Sequence, residues 1–411
     1  MNANLQLLII GSVWPEPNSS AAGTRMMQLI HYFKLHHFHI HFATAAADSE
    51  FKFPLNSIGV TTSQIKLNHP EFNSFIQELN PHVVLFDRYM TEEQFGWRLA
   101  EFCPNALRIL DTEDLHFLRH ARQLAFKNNG ESIEAHLFSD LTKREIASIF
   151  RCDFTLIISK YEMHLLKNTF HIPEDLLLYL PIVFDTENIQ NKTPFQKRNH
   201  FFFIGNFFHE PNIQAVYLLK EKIWPMIKKE LPHAELHIYG AYLPPSIQQL
   251  HQNKTSFLVK GRAETTADVF NQHRVLLAPM PFGAGLKGKI LESMYHSCAL
   301  VTNSFGAEGI FETQNSPSFI QDSIEDFAME AIKLYEDERY WEQAVSIGKN
   351  CLIKNFDEAL FDKNLIEKTL NSLDSLGKIR TQNFIGEILK HELNQSKKYL
   401  SKWIELKNNL K

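Results

Sequence analysis

Short apolar runs alternate with segments of helical periodicity along nearly the whole chain. Segments such as Arg25–His36 and Phe72–Glu78 have the spacing of amphipathic helices. The apolar runs between such segments are apolar on both faces, so helices should cover both sides of a parallel sheet. In the first half they predict strands at Leu5–Ile10, His39–Phe42, Val83–Phe86, Leu107–Leu110 and Phe154–Ile158.

A stretch with two prolines, Leu180–His200, which is polar from Asp185, interrupts this pattern, which then starts again. The second half predicts helices at Ile213–Lys229 and Lys287–Tyr295, and Ile324–Lys411 is helical almost throughout. Its predicted strands are Phe201–Ile204, Glu235–Tyr239, Ser256–Lys260, Val275–Pro279 and Leu300–Asn303. We therefore expect two α/β domains, residues 1–185 and 198–345, followed by a helical tail, 346–411.

Composition narrows the class of protein. A length of 411 residues fits two domains, and the net charge of -5 argues against a nucleic-acid partner. The chain has no 18-residue apolar run that could span a bilayer. Its four cysteines are scattered without zinc-site spacing, which is typical of reduced core residues. We expect a cytoplasmic protein.

The segment Val275–Glu292, VLLAPMPFGAGLKGKILE, carries the clearest chemistry. An apolar strand leads into a glycine-rich loop, and a helix begins near Lys287. Glycines allow the backbone to approach a ligand closely, and N–H groups at a helix start favour an anion. Lys287 and Lys289 add positive charge, so the loop predicts diphosphate binding.

Two other motifs overlap this loop. Gly283, Gly285 and Gly288 match the G-x-G-x-x-G dinucleotide fingerprint, which belongs in the first βαβ unit rather than deep in the second half. Gly283 to Lys289 matches G-x-x-x-x-G-K, but Ile290 replaces the Ser or Thr that would hold Mg²⁺. A nicotinamide dehydrogenase and a P-loop phosphotransferase are therefore both disfavoured.

Glu292 suggests a third interpretation. A carboxylate one turn into the helix can accept hydrogen bonds from two ribose hydroxyls while the loop holds the diphosphate. The alternative is an ordinary solvated glutamate, and the preceding phosphate loop favours the ligand contact.

The string GAGLKGKILESMYHSCALVTNSFGAEGI, which starts at Gly283, resembles the signature of GT-B-fold retaining glycosyltransferases of family 4. The segments Phe201–Asn212, Leu236–Gly240 and Val259–Arg262 resemble the strands and loops of that family's nucleotide domain. The resemblance implies two Rossmann-like domains that face a cleft. It also implies a nucleotide sugar, UDP- or GDP-linked, held mainly by the second domain without a metal ion or other cofactor.

The resemblance further implies particular roles. Glu292 would bind the ribose, and Lys287 and Lys289 the diphosphate, with Lys289 assisting its departure. The implied donor-binding residues are Gly23, Gly205, Asn206, Gly261, Arg262, Gly283, Ala284, Gly285, Leu286, Lys287, Lys289 and Glu292. The chain departs from the family at Ala284, where many relatives have a glutamate that touches the donor sugar. It also has Asn206, His209 and Asn212 where many use an Arg/Lys pair.

The first half supplies acids at predicted strand ends, where α/β proteins bind ligands. Glu113 and Asp114 are the candidates for orienting the acceptor hydroxyl or acting as base; Glu113 stands where relatives often have a histidine. Strand-end acids are also common helix caps. The acidic run could suggest a metal site, but the resemblance implies none.

Three further expectations concern the first domain. The resemblance implies that the loop Gly11–Arg25 reaches across the cleft towards the donor phosphates. Arg25 should either supplement the anion site or cap an exposed helix start. Ser159 should cap a helix, with Glu162 as its capping-box partner.

These patterns together predict a glycosyltransferase that acts on a glycan, lipid-linked or protein acceptor. A nucleotide-sugar epimerase and a catalytically degenerate partner subunit remain the alternatives.

The basic tail has apolar residues at helical spacing, Ile385, Leu389, Leu393, Leu400 and Ile404. It suggests either packing on the protein or a partner, or peripheral contact with the inner face of a membrane.

Overall fold

The computed structural model describes residues 5–409 apart from 129, 188, 190–192 and 312–315. Strands and helices alternate through both halves, as the apolar pattern predicts. The strands are β1 (Gln6–Gly11), β2 (His39–Thr44), β3 (Thr61–Gln64), β4 (Val83–Asp87), β5 (Leu107–Asp111), β6 (Phe154–Ile157), β7 (Leu177–Tyr179), β8 (Asn199–Ile204), β9 (Leu236–Tyr239), β10 (Phe257–Gly261), β11 (His273–Ala278) and β12 (Ala299–Thr302). The helices are α1 (Ala21–Leu35), α2 (Glu71–Leu79), α3 (Tyr89–Phe102), α4 (His116–Lys127), α5 (Glu134–Leu137), α6 (Asp140–Arg151), α7 (Lys160–Asn168), α8 (Glu210–Leu218), α9 (Trp224–Glu230), α10 (Pro245–Gln248), α11 (Thr266–Gln272), α12 (Gly288–Tyr295), α13 (Ser304–Ala307), α14 (Ile324–Glu336), α15 (Glu338–Phe356), α16 (Asp362–Asp374), α17 (Leu376–Gln382) and α18 (Phe384–Asn409).

The first domain is built on a seven-stranded parallel sheet of order β3-β2-β1-β4-β5-β6-β7. Alternate residues of β1 enter opposite cores: Leu7 and Ile9 pack on one face, and Leu8 and Ile10 on the other. This two-residue alternation explains why a strand covered on both sides is a continuous apolar run.

The second domain has a five-stranded parallel sheet of order β10-β9-β8-β11-β12. The helix predicted at Ile213–Lys229 consists of α8, a π-helical turn at Leu219–Ile223, and α9. Pro225 follows that turn; it has no N–H to donate, and its ring would clash with the preceding turn of an α-helix. The wider π turn accommodates it.

Two strands escaped the sequence pattern. β3 is a polar edge strand, and β7 has only three residues at the opposite edge. As a half-solvated edge strand β3 needs no apolar run, so hydrophobicity gives little signal there, whereas β7 is apolar but only three residues long.

The chain returns to the first domain at its end. The Phe184 N–H donates to the Phe356 carbonyl at 2.9 Å, and the Glu358 N–H donates to the Phe184 carbonyl at 3.0 Å. α15, which the predicted boundary at residue 345 divides, packs on the second sheet, whereas α16 packs on the first. α18 lies on α3, where Arg98 donates to Ser401 Oγ at 3.2 Å. Within the described ranges, no helix is both long and apolar enough to cross a membrane.

Arg25 neither supplements the anion site nor caps an exposed helix start. Its side chain is buried beneath the first sheet's carboxyl edge, where Nε and Nη2 donate to the Asp111 carboxylate at 2.8–3.0 Å. Nη1 donates to the Leu180 carbonyl at 2.6 Å. Arg25 therefore stabilises the first domain and does not face the cleft.

Replacing Arg25 should destabilise the first domain strongly. Arg25→Met would leave the Asp111 charge buried and unpaired, which costs about 3–5 kcal/mol. Chemical denaturation of the full chain measures the change in free energy of unfolding. Lys143→Met is the control because it removes an exposed pair with Asp140, and it should leave stability unchanged. Equal stability of the two variants would contradict this structural role.

Candidate active site between the two domains

A cavity of about 480 Å³ lies between the two sheets and opens at the carboxyl ends of their strands. This is the edge at which open parallel sheets bind ligands. Residues that follow β4, β5, β8, β9 and β11 contribute to its wall. Of the residues predicted from sequence, the wall includes Glu113, Asp114, Gly205, Asn206, Arg262, Gly283, Ala284, Gly285, Leu286, Lys287, Lys289 and Glu292.

Two of the predicted donor-binding residues, Gly23 and Gly261, are not in that wall. Gly23 lies in α1, where a Cβ atom would come within 2.4 Å of the Glu16 backbone, so the residue serves close packing. Gly261 ends β10 with φ of +79° and accepts a hydrogen bond from the Gly240 N–H at 2.9 Å. Its neighbour Arg262 reaches the cavity and stacks on Phe51, with 4.1 Å from Cζ to the ring centroid.

The glycine loop is one of the places at which the two domains touch. Gly285 has φ of +62°, and a Cβ atom there would lie 2.8 Å from the Asp114 Cβ of the first domain. A Cβ at Gly288 would be equally close to Ala21. Ala284 packs against the hydrophobic core of the first domain. The loop is thus held between the domains instead of projecting into an open cleft.

Charged side chains of α12 line the cavity. Lys289 Nζ donates to Asn212 Oδ1 at 2.7 Å and lies 4.0 Å from the centroid of the Phe203 ring. Burial lowers the pKa of Lys289 to about 7, and the Glu292 carboxylate only partly opposes this. Burial likewise raises the pKa of Glu292 to about 7, opposed by Lys289. Lys287 folds back so that Nζ donates to the Gly285 carbonyl at 3.0 Å.

The two candidate acids of the first domain differ in their surroundings. Asp114 is bound by Arg119 through hydrogen bonds of 2.7 and 2.9 Å. Burial alone would raise the pKa of Asp114, but Arg119 and neighbouring cations keep it below its usual value. Burial, together with the Asp111 carboxylate, raises the pKa of Glu113 well above its usual range, although Arg88 opposes the shift. Glu113 also has a left-handed backbone with φ of +62°, a strained conformation of a kind that clusters at functional sites.

Glu162 is not the capping partner of Ser159. The Ser159 side chain makes no cap hydrogen bond to α7. The buried Glu162 instead accepts hydrogen bonds at Oε1 from the N–H groups of Leu115, at 3.0 Å, and Gly285, at 2.8 Å. Although Gly285 is among the implied donor-binding residues, its amide is therefore directed to the first domain.

The loop Gly11–Arg25 reaches across the cleft, as the resemblance implies. The Ser19 carbonyl accepts a hydrogen bond from Asn206 Nδ2 at 3.2 Å. Glu16 accepts hydrogen bonds from the Tyr242 hydroxyl at 2.7 and 2.8 Å, and the Tyr242 ring stacks on Phe208 with centroids 4.1 Å apart.

The wall also includes Arg88 and His116, polar residues that follow the ends of predicted strands, and Glu16 of the loop Gly11–Arg25. The sequence did not single out Arg119 or Tyr242, which also line the cavity. Tyr242 carried no signal, since its partner Glu16 lies in the other domain.

The described residues include no group of three or more His, Cys, Asp or Glu side chains placed to hold a metal ion. Metal independence stays a prediction.

Diphosphate affinity should fall as the pH rises above 7. An anion beside Lys289 favours its ammonium form, so above the free protein's pKa of about 7 binding takes up a proton and weakens by about tenfold per pH unit. Calorimetry with UDP and GDP between pH 6 and 9 measures this slope. Lys289→Arg has a permanent positive charge and leaves Glu292 in place, so it should reduce the slope of affinity against pH. The same slope in parent and variant would contradict the role of Lys289.

The comparisons with known proteins agree with this geometry. Residues 198–337 match the family of glycosyl transferases group 1. A Klebsiella pneumoniae protein, described as an uncharacterized 44.6 kDa protein in the cps region, is 27% identical over 174 residues. That match spans 41% of this chain and 42% of the relative, less than half of either.

Solved structures are similar over most of the chain. A glycosyltransferase from Rickettsia africae superposes with a TM-score of 0.62 at 12% identity, covering 90% of this chain and 99% of that one. HepE of Anabaena, solved in complex with UDP and glucose, gives a TM-score of 0.63 at 13% identity, with 90% and 100% covered. The chain therefore has the GT-B fold, and its residues 198–337 are similar to the glycosyl transferases group 1.

Proposed function

We propose that the protein transfers a sugar from a UDP- or GDP-linked donor to a glycan, lipid-linked or protein acceptor, with retention of configuration and without a metal ion. Glycosyl transfer as the general activity is supported by the family match and the fold. The observation that carries the specific proposal is the interdomain cavity. Its wall brings the glycine loop, Lys289 and Glu292 of one domain opposite Glu113 of the other.

On the donor side, Lys287 and Lys289 would neutralise the diphosphate as it departs. Their burial disfavours the charged form, and a bound anion compensates for that cost. Glu292 would accept hydrogen bonds from the ribose hydroxyls. In these roles, ammonium groups and backbone N–H groups would stabilise the leaving group without a metal ion.

On the acceptor side, Glu113 fits the role of base better than Asp114. The Asp114 carboxylate is held by Arg119, whereas Glu113 lines the cavity with a raised pKa. A carboxyl of raised pKa is a more effective base towards a hydroxyl. Glu113 can also contact the transferred sugar, a role that Ala284 cannot supply.

The decisive experiment is a transfer assay with a panel of UDP- and GDP-sugars and with glycan, lipid-linked and protein acceptors. We expect nucleotide release that depends on an acceptor, with the sugar recovered on it. An altered sugar, or UDP released without an acceptor, would identify an epimerase-type enzyme instead. Tight nucleotide binding without turnover of any donor would favour the degenerate subunit, which Ala284 keeps as an alternative.

Glu113→Gln should lower kcat by about 100-fold, because the amide cannot accept a proton, while nucleotide affinity is unchanged. Steady-state kinetics and UDP calorimetry measure the two quantities. Glu336→Gln, on an exposed position of α14, is the matched control and should behave as the parent. Full activity of Glu113→Gln would remove it as the base.

The tail offers a membrane contact that suits a lipid-linked acceptor. Leu389 and Ile404 are half-buried, the side chain of Leu393 lies outside the described residues, and Ile385 and Leu400 are exposed. An exposed stripe runs along α18 with 49–67% of each side chain accessible: Phe384, Ile385, Ile388, Tyr399, Trp403 and Leu406. Lys402 and Lys407 flank it, and Lys407 Nζ lies 5.2 Å from the Trp403 ring centroid. Aromatic residues beside lysines suit an anionic lipid interface, which we propose as the partner of this stripe.

The full chain should sediment with phosphatidylglycerol vesicles, and the double variant Trp403→Glu, Leu406→Glu should lose most of that binding. Co-sedimentation measures the bound fraction. Met329→Glu changes an equally exposed apolar residue on α14 and should keep binding. A parent that stays in the supernatant would exclude the lipid contact and leave α18 as a packing helix.

A further inference from the structure

Two buried polar side chains of the first domain, a guanidinium and a carboxyl group, hold the backbone of the glycine loop in the second. Arg122 of α4 donates from Nη1 to the Gly283 carbonyl at 2.6 Å. The same guanidinium binds Glu308 of the second domain in a bidentate manner, at 2.8 and 2.7 Å. Only 3% of the Arg122 side chain is exposed.

Glu162 of α7 holds the same loop two residues further on. Its buried Oε1 accepts the hydrogen bond from the Gly285 N–H at 2.8 Å and ties it to the Leu115 N–H of its own domain. Arg122 thus binds a carbonyl of the loop and Glu162 binds an amide. We call Arg122 and Glu162 the clamp.

The clamp contacts a segment whose ordering costs much conformational entropy. Gly283 and Gly285 have φ of +153° and +62°, and glycine loses more conformational freedom on ordering than any other residue. A loop fixed before the ligand arrives avoids that loss on binding. The described wall of the cavity contains neither clamp residue, so the clamp can act on a ligand only through the loop.

We propose that Arg122 and Glu162 are positioning residues that fix the loop in its diphosphate-binding geometry, so that the donor phosphates bind tightly only when the domains are closed. The inference rests on the proposed function because it takes the ligand to be a nucleoside diphosphate. It assigns control of the loop to the acceptor-side domain. Ala284 is consistent with this, since its methyl group packs into that domain where a glutamate would reach for the sugar.

A simple tether between domains would behave differently from a clamp on the phosphate loop. A tether supports nucleoside and phosphate contacts alike, so its loss weakens UMP and UDP binding by the same factor. Loss of the Glu162 contact frees the loop and leaves the Arg122–Glu308 pair in place, and Glu292 on α12 would still hold the ribose. The ratio of UDP to UMP affinity therefore separates the two roles.

The experiment measures that ratio by calorimetry on the full chain, using GDP and GMP if the parent prefers guanine. Arg122→Met should weaken UDP binding about tenfold, as expected for a lost charge-assisted hydrogen bond, and UMP binding less than twofold. Glu162→Ala should act similarly. Glu162→Gln keeps the accepting oxygen and should keep the parent's ratio, which also guards against misfolding of the alanine variant.

Arg380→Met is the matched control, because Arg380 makes a bidentate pair with Asp153 at 2.8 and 2.9 Å away from the loop. It should leave the UDP to UMP ratio unchanged. Equal weakening of UDP and UMP by Arg122→Met, or no weakening of either, overturns the clamp while the transfer activity of the parent still stands. A parent that binds neither UDP nor GDP contradicts the proposed donor and the clamp together.

Discussion

The approach of the two sheets depends on the missing side chains at Gly285 and Gly288. A Cβ atom at either position would lie 2.8 Å from a carbon atom of the first domain, well inside van der Waals contact. With hydrogen in place of methyl, the loop fits between the carboxyl edges of both sheets. The cavity, its charged wall and the contacts from the N-terminal loop to Tyr242 all follow from that approach.

The same closeness sets the electrostatics. Burial disfavours the charged forms of Lys287, Lys289 and Glu292, because it lowers the pKa of both lysines and raises the pKa of the glutamate. The charged forms of these groups carry a desolvation cost, which a bound ligand of complementary charge would offset. Perturbed groups of this kind concentrate at functional sites, and here they lie on the helix that the glycine loop opens.

Much of this could be predicted because it is local. Strands covered on both faces are apolar runs, and the glycines and lysines of the loop form a motif that is recognisable within ten consecutive residues. Interactions between distant residues leave no such trace: Arg25 meets Asp111 86 positions away, and Glu162 meets Gly285 123 positions away. The spacing of Ser159 and Glu162 fits a capping box, yet burial beside a backbone amide of another domain gave that carboxyl a different partner. The edge strand β3 was not predicted for a third reason: a strand that is half exposed to water needs no apolar run.

The two crossings between the domains, at Phe184 and at Phe356–Glu358, lie side by side and are hydrogen-bonded to each other. This pairing couples the two crossings, because neither can shift against the other without breaking a hydrogen bond that they share. At this place the domains are therefore joined by a pair of hydrogen-bonded segments instead of by two independent linkers.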